Sequence, residues 1–170
     1  MDDIRYALFD ANIIIDFREI ERSNLIYSIC TKKNWIILMS EEVLKEVRWK
    51  DPWIENGIRM GDIEIKKSGS RRFEQLRAQF SIGKGETEII ALVEECLDKS
   101  YKPYVIITQD KKPSGIATEL GMKSYNICDF LFLGYKNDVI SKQEYLSILK
   151  QWRSFKIINL EYDHYKSKVN

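Results

Sequence analysis

Short apolar runs alternate along this chain with stretches in which apolar residues recur every three or four positions. Runs rich in β-branched and aromatic residues predict strands at 6–9, 35–39 and 104–107, and alternating polarity favours a short strand at 63–66. Helical repeats, with Ser40 as an N-cap for the first, predict helices at 41 to about 50, 85–99, 130–139 and 141–155. The alternation predicts an α/β fold, a three-layer α/β/α arrangement with a central, mostly parallel sheet.

The composition favours one compact domain. Of the 170 residues, 44% are hydrophobic and 31% are charged, which suits a folded core with a solvated surface. Pro52, Gly57 and Gly61 break the pattern after the second strand, but no repeat or linker divides the chain. We expect a single domain over 1–170. Its C-terminal helices, 128–155, would pack on the rest or form a subunit interface.

The net charge and the cysteines indicate the cellular compartment of the protein. The net charge is +1, no apolar run reaches the length of about 18 residues that a membrane helix needs, and the start Met1-Asp2-Asp3 is acidic. We expect a cytoplasmic protein without a membrane partner. Cys30, Cys96 and Cys128 lack paired spacing, and the lone His164 lies in a polar tail where we expect it to be exposed. The cysteines are interpreted as reduced and buried.

Carboxylates stand where strands end, which is where α/β folds bind ligands. Asp10 ends the first strand and Asp110 ends the run at 104–107. At about 100° per residue, Glu86 shares the helix face of Ile90, while Glu88 should point to solvent. Carboxylates gathered without cations raise one another's pKa values, a cost that a divalent ion removes. Oxygen ligands of this kind suit Mg²⁺ or Mn²⁺.

Further acids, and simpler roles for each acid, remain open from the residues alone. Glu42 and Glu46 lie one helical turn apart, and either could reach the same crevice. Taken singly, Asp10 could cap the following segment, Asp110 could form a turn, and Glu86 could serve the helix dipole. The ordered set of acids favours a shared site over three separate structural roles.

Four segments resemble, in chain order, the motifs of the PIN domain family. Asp10-Ala11-Asn12 and the aliphatic residues after it resemble the strand-end motif that opens the family. The others resemble its second, third and fourth acidic segments and lie at 40–47, 85–92 and 106–110. The family's acids then fall on Asp10, Glu46, Glu86 or Glu88, and Asp110, with Thr108 as the usual hydroxyl residue. The matches cover about residues 5–130, most of the chain.

The resemblance implies a ribonuclease that depends on Mg²⁺ or Mn²⁺, for example the toxin of a toxin–antitoxin pair. The implied catalytic residues are Asp10, Glu46, Glu86 and Asp110, of which Asp10, Glu86 and Asp110 would hold the metal. Asn12 and Thr108 would orient the carboxylates or the substrate. The implied partners are an RNA substrate, an antitoxin protein and a second copy of the chain.

Local positive charge supplies a track for nucleic acid in an otherwise neutral chain. Residues 66–84 contain six Lys and Arg against one Glu, including Arg71 and Arg72, and a solvated helix face explains this window equally well. Lys111 and Lys112, directly after Asp110, are better placed to meet a phosphate. Two other hypotheses fit the same residues: a non-catalytic PIN-like module that binds RNA or protein, and a hydrolase of small phosphates.

Overall fold

The fold is an α/β sandwich, seen in a computed structural model that describes residues 5–47, 51–67, 70–81, 83–98 and 103–170. Within these ranges the strands are β1 (Arg5–Phe9), β2 (Trp35–Ser40), β3 (Ile63–Lys66), β4 (Pro103–Ile107) and β5 (Lys123–Tyr125). The helices are α1 (Ala11–Glu19), α2 (Asn24–Lys32), α3 (Glu41–Val47), α4 (Pro52–Met60), α5 (Ser70–Phe80), α6 (Lys84–Asp98), α7 (Lys111–Glu119), α8 (Ile127–Lys136), α9 (Lys142–Ser154) and α10 (Glu161–Ser167).

The five strands form one sheet in the order β3-β2-β1-β4-β5, and every pairing in it is parallel. Helices surround the sheet, so the predicted three-layer α/β/α fold is confirmed, with an entirely parallel sheet. Ala7, Leu8 and Phe9 of the central strand β1 have no exposed surface, as expected for a strand covered on both faces. The strand order reverses between β1 and β4, which opens a crevice at their carboxyl ends.

The C-terminal helices pack into the main core. Phe130 of α8 meets Phe9 of β1 and Phe17 of α1 edge to face, at ring-centroid distances of 5.3 and 6.0 Å. Trp152 of α9 stacks edge-on to Phe17 at 5.0 Å, and its indole N–H donates to the Asp16 carbonyl at 3.2 Å. Edge-to-face packing of buried aromatic rings is favourable beyond the apolar area that it buries. The C-terminal helices were predicted either to pack on the rest of the chain or to form a subunit interface. For Phe130 and Trp152 the structure shows packing on the rest of the chain.

Several helices were missed by the hydrophobic pattern, namely α1, α2, α4, α5, α7 and α10. Of the three predicted breaks, Pro52 and Gly61 are confirmed as the two ends of a helix, whereas Gly57 lies inside that helix. Pro52 opens α4, where its missing N–H costs no hydrogen bond, and Gly61 ends it with a left-handed φ of 81°. Gly57 lies mid-helix because an added Cβ would come within 2.5 Å of the Ile63 Cδ1 atom.

Side-chain caps fix where the last helices begin. The predicted capping box at Ser141 is present, with Glu144 as its partner, and α9 starts immediately after it. A second box, between Asn126 and Asp129, starts α8 at 127, before the predicted 130. The predicted helix after Ser40 is described only to Val47, and residues 48–50 lie outside the described part of the chain.

The remaining predictions on single residues are partly confirmed. Cys30 and Cys128 are buried free thiols, and burial raises the pKa of both. The side chain of Cys96 lies outside the described residues. His164 is exposed, as predicted, although it lies in a helix, α10. Across the described ranges, every helix is too short or too polar to cross a bilayer.

Candidate active site

Two of the predicted acids meet at the carboxyl ends of β1 and β4. The backbone continues the pairing of these strands, since the Asp10 N–H donates to the Ile107 carbonyl at 3.1 Å. The Thr108 hydroxyl donates to the Asp10 Oδ2 atom at 2.9 Å and accepts from the Asp110 N–H at 3.1 Å. Only 5% of Asp10 and 2% of Thr108 are exposed, and Asp110 is half-buried. The sheet thus joins Asp10, Thr108 and Asp110 in one cluster across a separation of about 100 residues.

The electrostatics of this cluster set Asp10 apart from an ordinary aspartate. Burial raises the pKa of Asp10 to about 7, helped by a hydrogen bond with the Asp110 side chain and by its charge. The hydrogen bonds from the Thr108 hydroxyl and the Ala11 N–H act in the opposite direction and lower this pKa. Two carboxyl groups in contact in a poorly solvated place have this effect because ionising both is costly. A cation between them would remove that cost.

Helix α3 begins at the end of β2 and carries the acids predicted to complete the site. Ser40 is fully buried, and its Oγ atom accepts from the Val43 N–H at 3.1 Å, which is an N-cap. Glu42 forms an ion pair of 2.7 Å with Lys45 on the same helix. Glu46 lies one turn further on and is exposed, and the loss of part of the water around its carboxyl group and the charge of Glu42 raise its pKa.

An acidic side chain of helix α6, that of Glu88, does not point in the predicted direction. Only 3% of Glu88 is exposed, and its Oε2 atom accepts from the Glu42 N–H of α3 at 3.0 Å. The prediction that Glu88 points to solvent was therefore wrong. Every residue from Thr87 to Val93 is buried, so this stretch of α6 has no solvent face by which helical phase could orient a side chain. The side chain of Glu86 lies outside the described residues.

The other predicted residues surround this cluster in different ways. Asn12 is exposed on the first turn of α1, and Lys111 is exposed as the first residue of α7. Lys112 is also exposed, but its ammonium group donates to the Phe80 carbonyl of α5 at 2.6 Å. The side chains of Arg71 and Arg72 lie outside the described residues, although the backbone places both in α5.

Helix α5, which holds the basic window, is attached to the fold through a small separate core. Leu76 is fully buried against Ile90 and Ala91 of α6, and Phe80 packs on the same cluster with Ile116 of α7. Together with the hydrogen bond of Lys112, these contacts join α5 to α6 and to the helix that begins beside Asp110. The described contacts of the basic helix are therefore with α6 and α7, and its buried Leu76 belongs to a cluster separate from the large core under the sheet.

A divalent metal fits the donor chemistry of the Asp10 cluster. Hard oxygen ligands from carboxylates are what Mg²⁺ and Mn²⁺ prefer, and Asp10 and Asp110 supply them. Among the side chains that the structure describes, no three His, Cys, Asp or Glu residues gather as a metal-binding group. The described part of the site thus supplies two donors, and a third has to come from another side chain or from water.

A cavity of about 240 Å³ lies at the amino end of the strands, beside the start of β2. Tyr27, Trp35 and Asp62 are among its lining residues. The Tyr27 hydroxyl donates to the Asp62 carboxylate at 2.6 Å, so these two groups satisfy each other. The cavity is remote from the carboxyl ends of β1 and β4, because Trp35 at the start of β2 pairs with Arg5 at the start of the parallel strand β1.

The chain matches no protein-family model, and no curated protein matches it. Function is therefore inferred from the geometry of the site.

Proposed function

We propose that this protein is a PIN-type ribonuclease that hydrolyses phosphodiester bonds with the help of Mg²⁺ or Mn²⁺. The observation that supports it best is the Thr108 hydroxyl, which joins the Asp10 carboxylate to the backbone of Asp110 at the point where the strand order reverses. Two carboxyl groups held together by burial and by a shared threonine lose free energy unless they share a proton or a cation. Such an arrangement is common in sites that work on phosphates.

Each residue has a defined part in this proposal. Asp10 and Asp110 hold the metal, Glu86 supplies a third carboxylate, and Glu46 completes the acidic set from α3. Thr108 fixes the orientation of the Asp10 carboxylate through its hydroxyl group. A bound divalent ion supplies Lewis acidity and lowers the pKa of water, which phosphodiester hydrolysis requires.

The substrate in this proposal is RNA, held by cations next to the acids. Lys111 is exposed directly after Asp110 and is placed for a phosphate contact, and α5 brings Arg71 and Arg72 as a second group. Asn12, exposed at the start of α1, would orient the substrate. The proposal includes an antitoxin protein and a second copy of the chain as partners, and the cytoplasm as the compartment.

The direct test compares the chain with an Asp10→Asn variant on single-stranded RNA, with Mn²⁺ or Mg²⁺ and with a chelator. We expect metal-dependent cleavage by the natural chain and a loss of at least about 100-fold in the variant, because a ligand carboxylate is removed. Asp138→Asn is a matched control, since Asp138 is exposed at a φ of 57° that asparagine also adopts. Equal cleavage by the Asp10→Asn variant would contradict the proposal.

A non-catalytic module that binds RNA or protein is the second candidate. It is favoured by the hydrogen bonds that Asp10 makes with Thr108 and Asp110, which satisfy this buried carboxyl group within the protein. Calorimetry distinguishes the two candidates. The nuclease binds Mn²⁺ and loses this binding in the Asp10→Asn variant, whereas the module binds RNA equally well with a chelator present and gives no heat with Mn²⁺.

A further inference from the structure

Glu88 links helices α6 and α3 through a hydrogen bond of its side chain. Its side chain extends from α6 into the protein, is 3% exposed, and accepts a hydrogen bond of 3.0 Å from the backbone N–H of Glu42. Glu42 is the second residue of α3, and its N–H is among those that a helix cannot pair internally. The two residues are 46 positions apart, so the contact exists only in the folded chain.

Helix α3 needs external support because it is short. It has seven residues, of which Val43 and Val47 are buried. Helices of fewer than about 12 residues are marginal in water, so their tertiary contacts decide their stability. At the start of α3 two of the unpaired N–H groups find acceptors outside the helix, since Ser40 accepts from the Val43 N–H and Glu88 accepts from the Glu42 N–H.

A carboxylate suits this position for electrostatic reasons. The amino end of a helix carries partial positive charge, and a hydrogen bond to an ionised acceptor is about twice as strong as a neutral one. Burial strengthens the interaction further, because water does not compete for the same N–H. Glu88 therefore fixes the start of α3, and with it the direction in which Glu46 leaves the helix one turn beyond Glu42.

We infer that Glu88 is a positioning residue that holds α3, and through it Glu46, against the candidate active site. The catalytic consequence rests on the proposed ribonuclease function, whereas the structural link between α6 and α3 does not. This assigns different tasks to the neighbouring acids of α6, since Glu86 is the proposed metal ligand and Glu88 secures the helix that carries Glu46.

Substitution of Glu88 separates this role from metal ligation. Glu88→Gln keeps an oxygen acceptor for the Glu42 N–H and removes the charge, while Glu88→Ala removes the acceptor. A positioning residue should tolerate glutamine much better than alanine. A metal ligand should tolerate neither, since a neutral amide is a poor ligand for Mg²⁺ or Mn²⁺.

The first measurement is amide hydrogen exchange of the full chain by NMR, which needs no activity. In Glu88→Ala we expect exchange at the Glu42 N–H to accelerate by about tenfold or more, and in Glu88→Gln by less than about threefold. Ser40→Ala is the matched control, because it should expose the Val43 N–H instead. Unchanged exchange at Glu42 in Glu88→Ala would overturn the inference, and so would a loss of protection in Glu88→Gln equal to that in Glu88→Ala.

The second measurement is RNA cleavage with Mn²⁺. We expect Glu88→Ala to lose about tenfold or more in kcat and Glu88→Gln to stay within about threefold of the natural chain. Equal losses in both variants, with Glu42 still protected in Glu88→Gln, would identify Glu88 as a metal ligand and overturn the inference. If Glu88→Ala does not fold, Glu88→Gln decides alone. Exchange at the Glu42 N–H and kcat that both stay within about threefold of the natural chain support the inference, and a larger change in either overturns it. If the natural chain cleaves no RNA, the proposed function fails while the exchange data still test the link.

Discussion

The hydroxyl group of Thr108 donates to the Asp10 carboxylate at 2.9 Å and at the same time accepts from the Asp110 N–H at 3.1 Å. One buried side chain therefore orients a carboxylate on β1 and the backbone that carries a carboxylate after β4. Because Thr108 is almost fully buried, its hydroxyl has no water to replace these partners.

Thr108→Val tests this orientation, because valine keeps the shape and removes the hydroxyl. We expect the free energy of unfolding to fall by about 1–3 kcal/mol, since the Asp110 N–H and Asp10 lose a hydrogen-bond partner. We expect Mn²⁺ affinity to fall by about 10–100-fold, as for other groups that orient metal ligands. Thr108→Ser keeps the hydroxyl and is the control. Mn²⁺ binding by Thr108→Val equal to that by Thr108→Ser would contradict the assigned role.

The raised pKa of Asp10 predicts how stability depends on pH without metal. The folded state holds the Asp10 proton up to about pH 7, whereas the unfolded chain releases it near the ordinary value of 3.8. Stability from this group is thus fully present below about pH 4 and is lost as the pH rises towards 7. Asp10→Asn lacks this loss, so above pH 7 we expect it to be more stable than the natural chain by about 1–3 kcal/mol.

Urea unfolding of both chains from pH 5 to 8, with a chelator present, measures this difference. The advantage of Asp10→Asn should grow with pH across this window. A difference that is constant with pH would show that Asp10 titrates alike in the folded and unfolded states.

Lys112 is expected to secure helix α5 through its bond to the Phe80 carbonyl. In Lys112→Ala we expect faster proteolysis within α5 and weaker RNA binding, because the helix that carries Arg71 and Arg72 loses its hydrogen bond to α7. Lys111→Ala is the matched control, since Lys111 is exposed at the adjacent position. It should weaken RNA binding without exposing α5 to protease. Equal protease resistance of the two variants would contradict the role of Lys112 in securing α5.

Gly57 is expected to be required by the packing of α4 on β3. An alanine Cβ would lie 2.5 Å from Ile63 Cδ1 and 2.6 Å from Cγ1, closer than carbon atoms can approach. We expect Gly57→Ala to lower the free energy of unfolding by about 1–3 kcal/mol, although alanine favours a helix, because an overpacked core must shift. Ile63→Val, which removes Cδ1, should cost less in the Gly57→Ala background than alone. Additive losses in the double variant would contradict this contact.

The α/β class was predictable because its signals are local. Continuous β-branched runs identified β2 and β4, and the Ser141 capping box located the start of α9 within a single turn of sequence. Helices α1 and α4 were missed for the same reason. The isoleucines at 13–15 resemble the continuation of a strand, and Pro52 and Gly57 resemble breaks when their neighbours are unknown.

The residues of the candidate site likewise fall into those that the sequence located and one that it did not. Strand ends placed Asp10, Thr108 and Asp110 on one edge of a sheet, and the sequence alone sufficed for that inference. Helical phase could not assign Glu88, because phase identifies a buried side only where the other side meets water, and α6 is enclosed by its neighbours at this point.

What the amino-acid sequence determined by itself is the class of fold, most strand positions and the acids that end them, since these depend on residues near one another in the chain. The tertiary structure decided the strand order that brings β4 beside β1, the inward position of Glu88 and the attachment of Lys112 to α5. Each of these depends on contacts between segments 30 to 100 residues apart, whose free energy is set by mutual burial and has no local pattern.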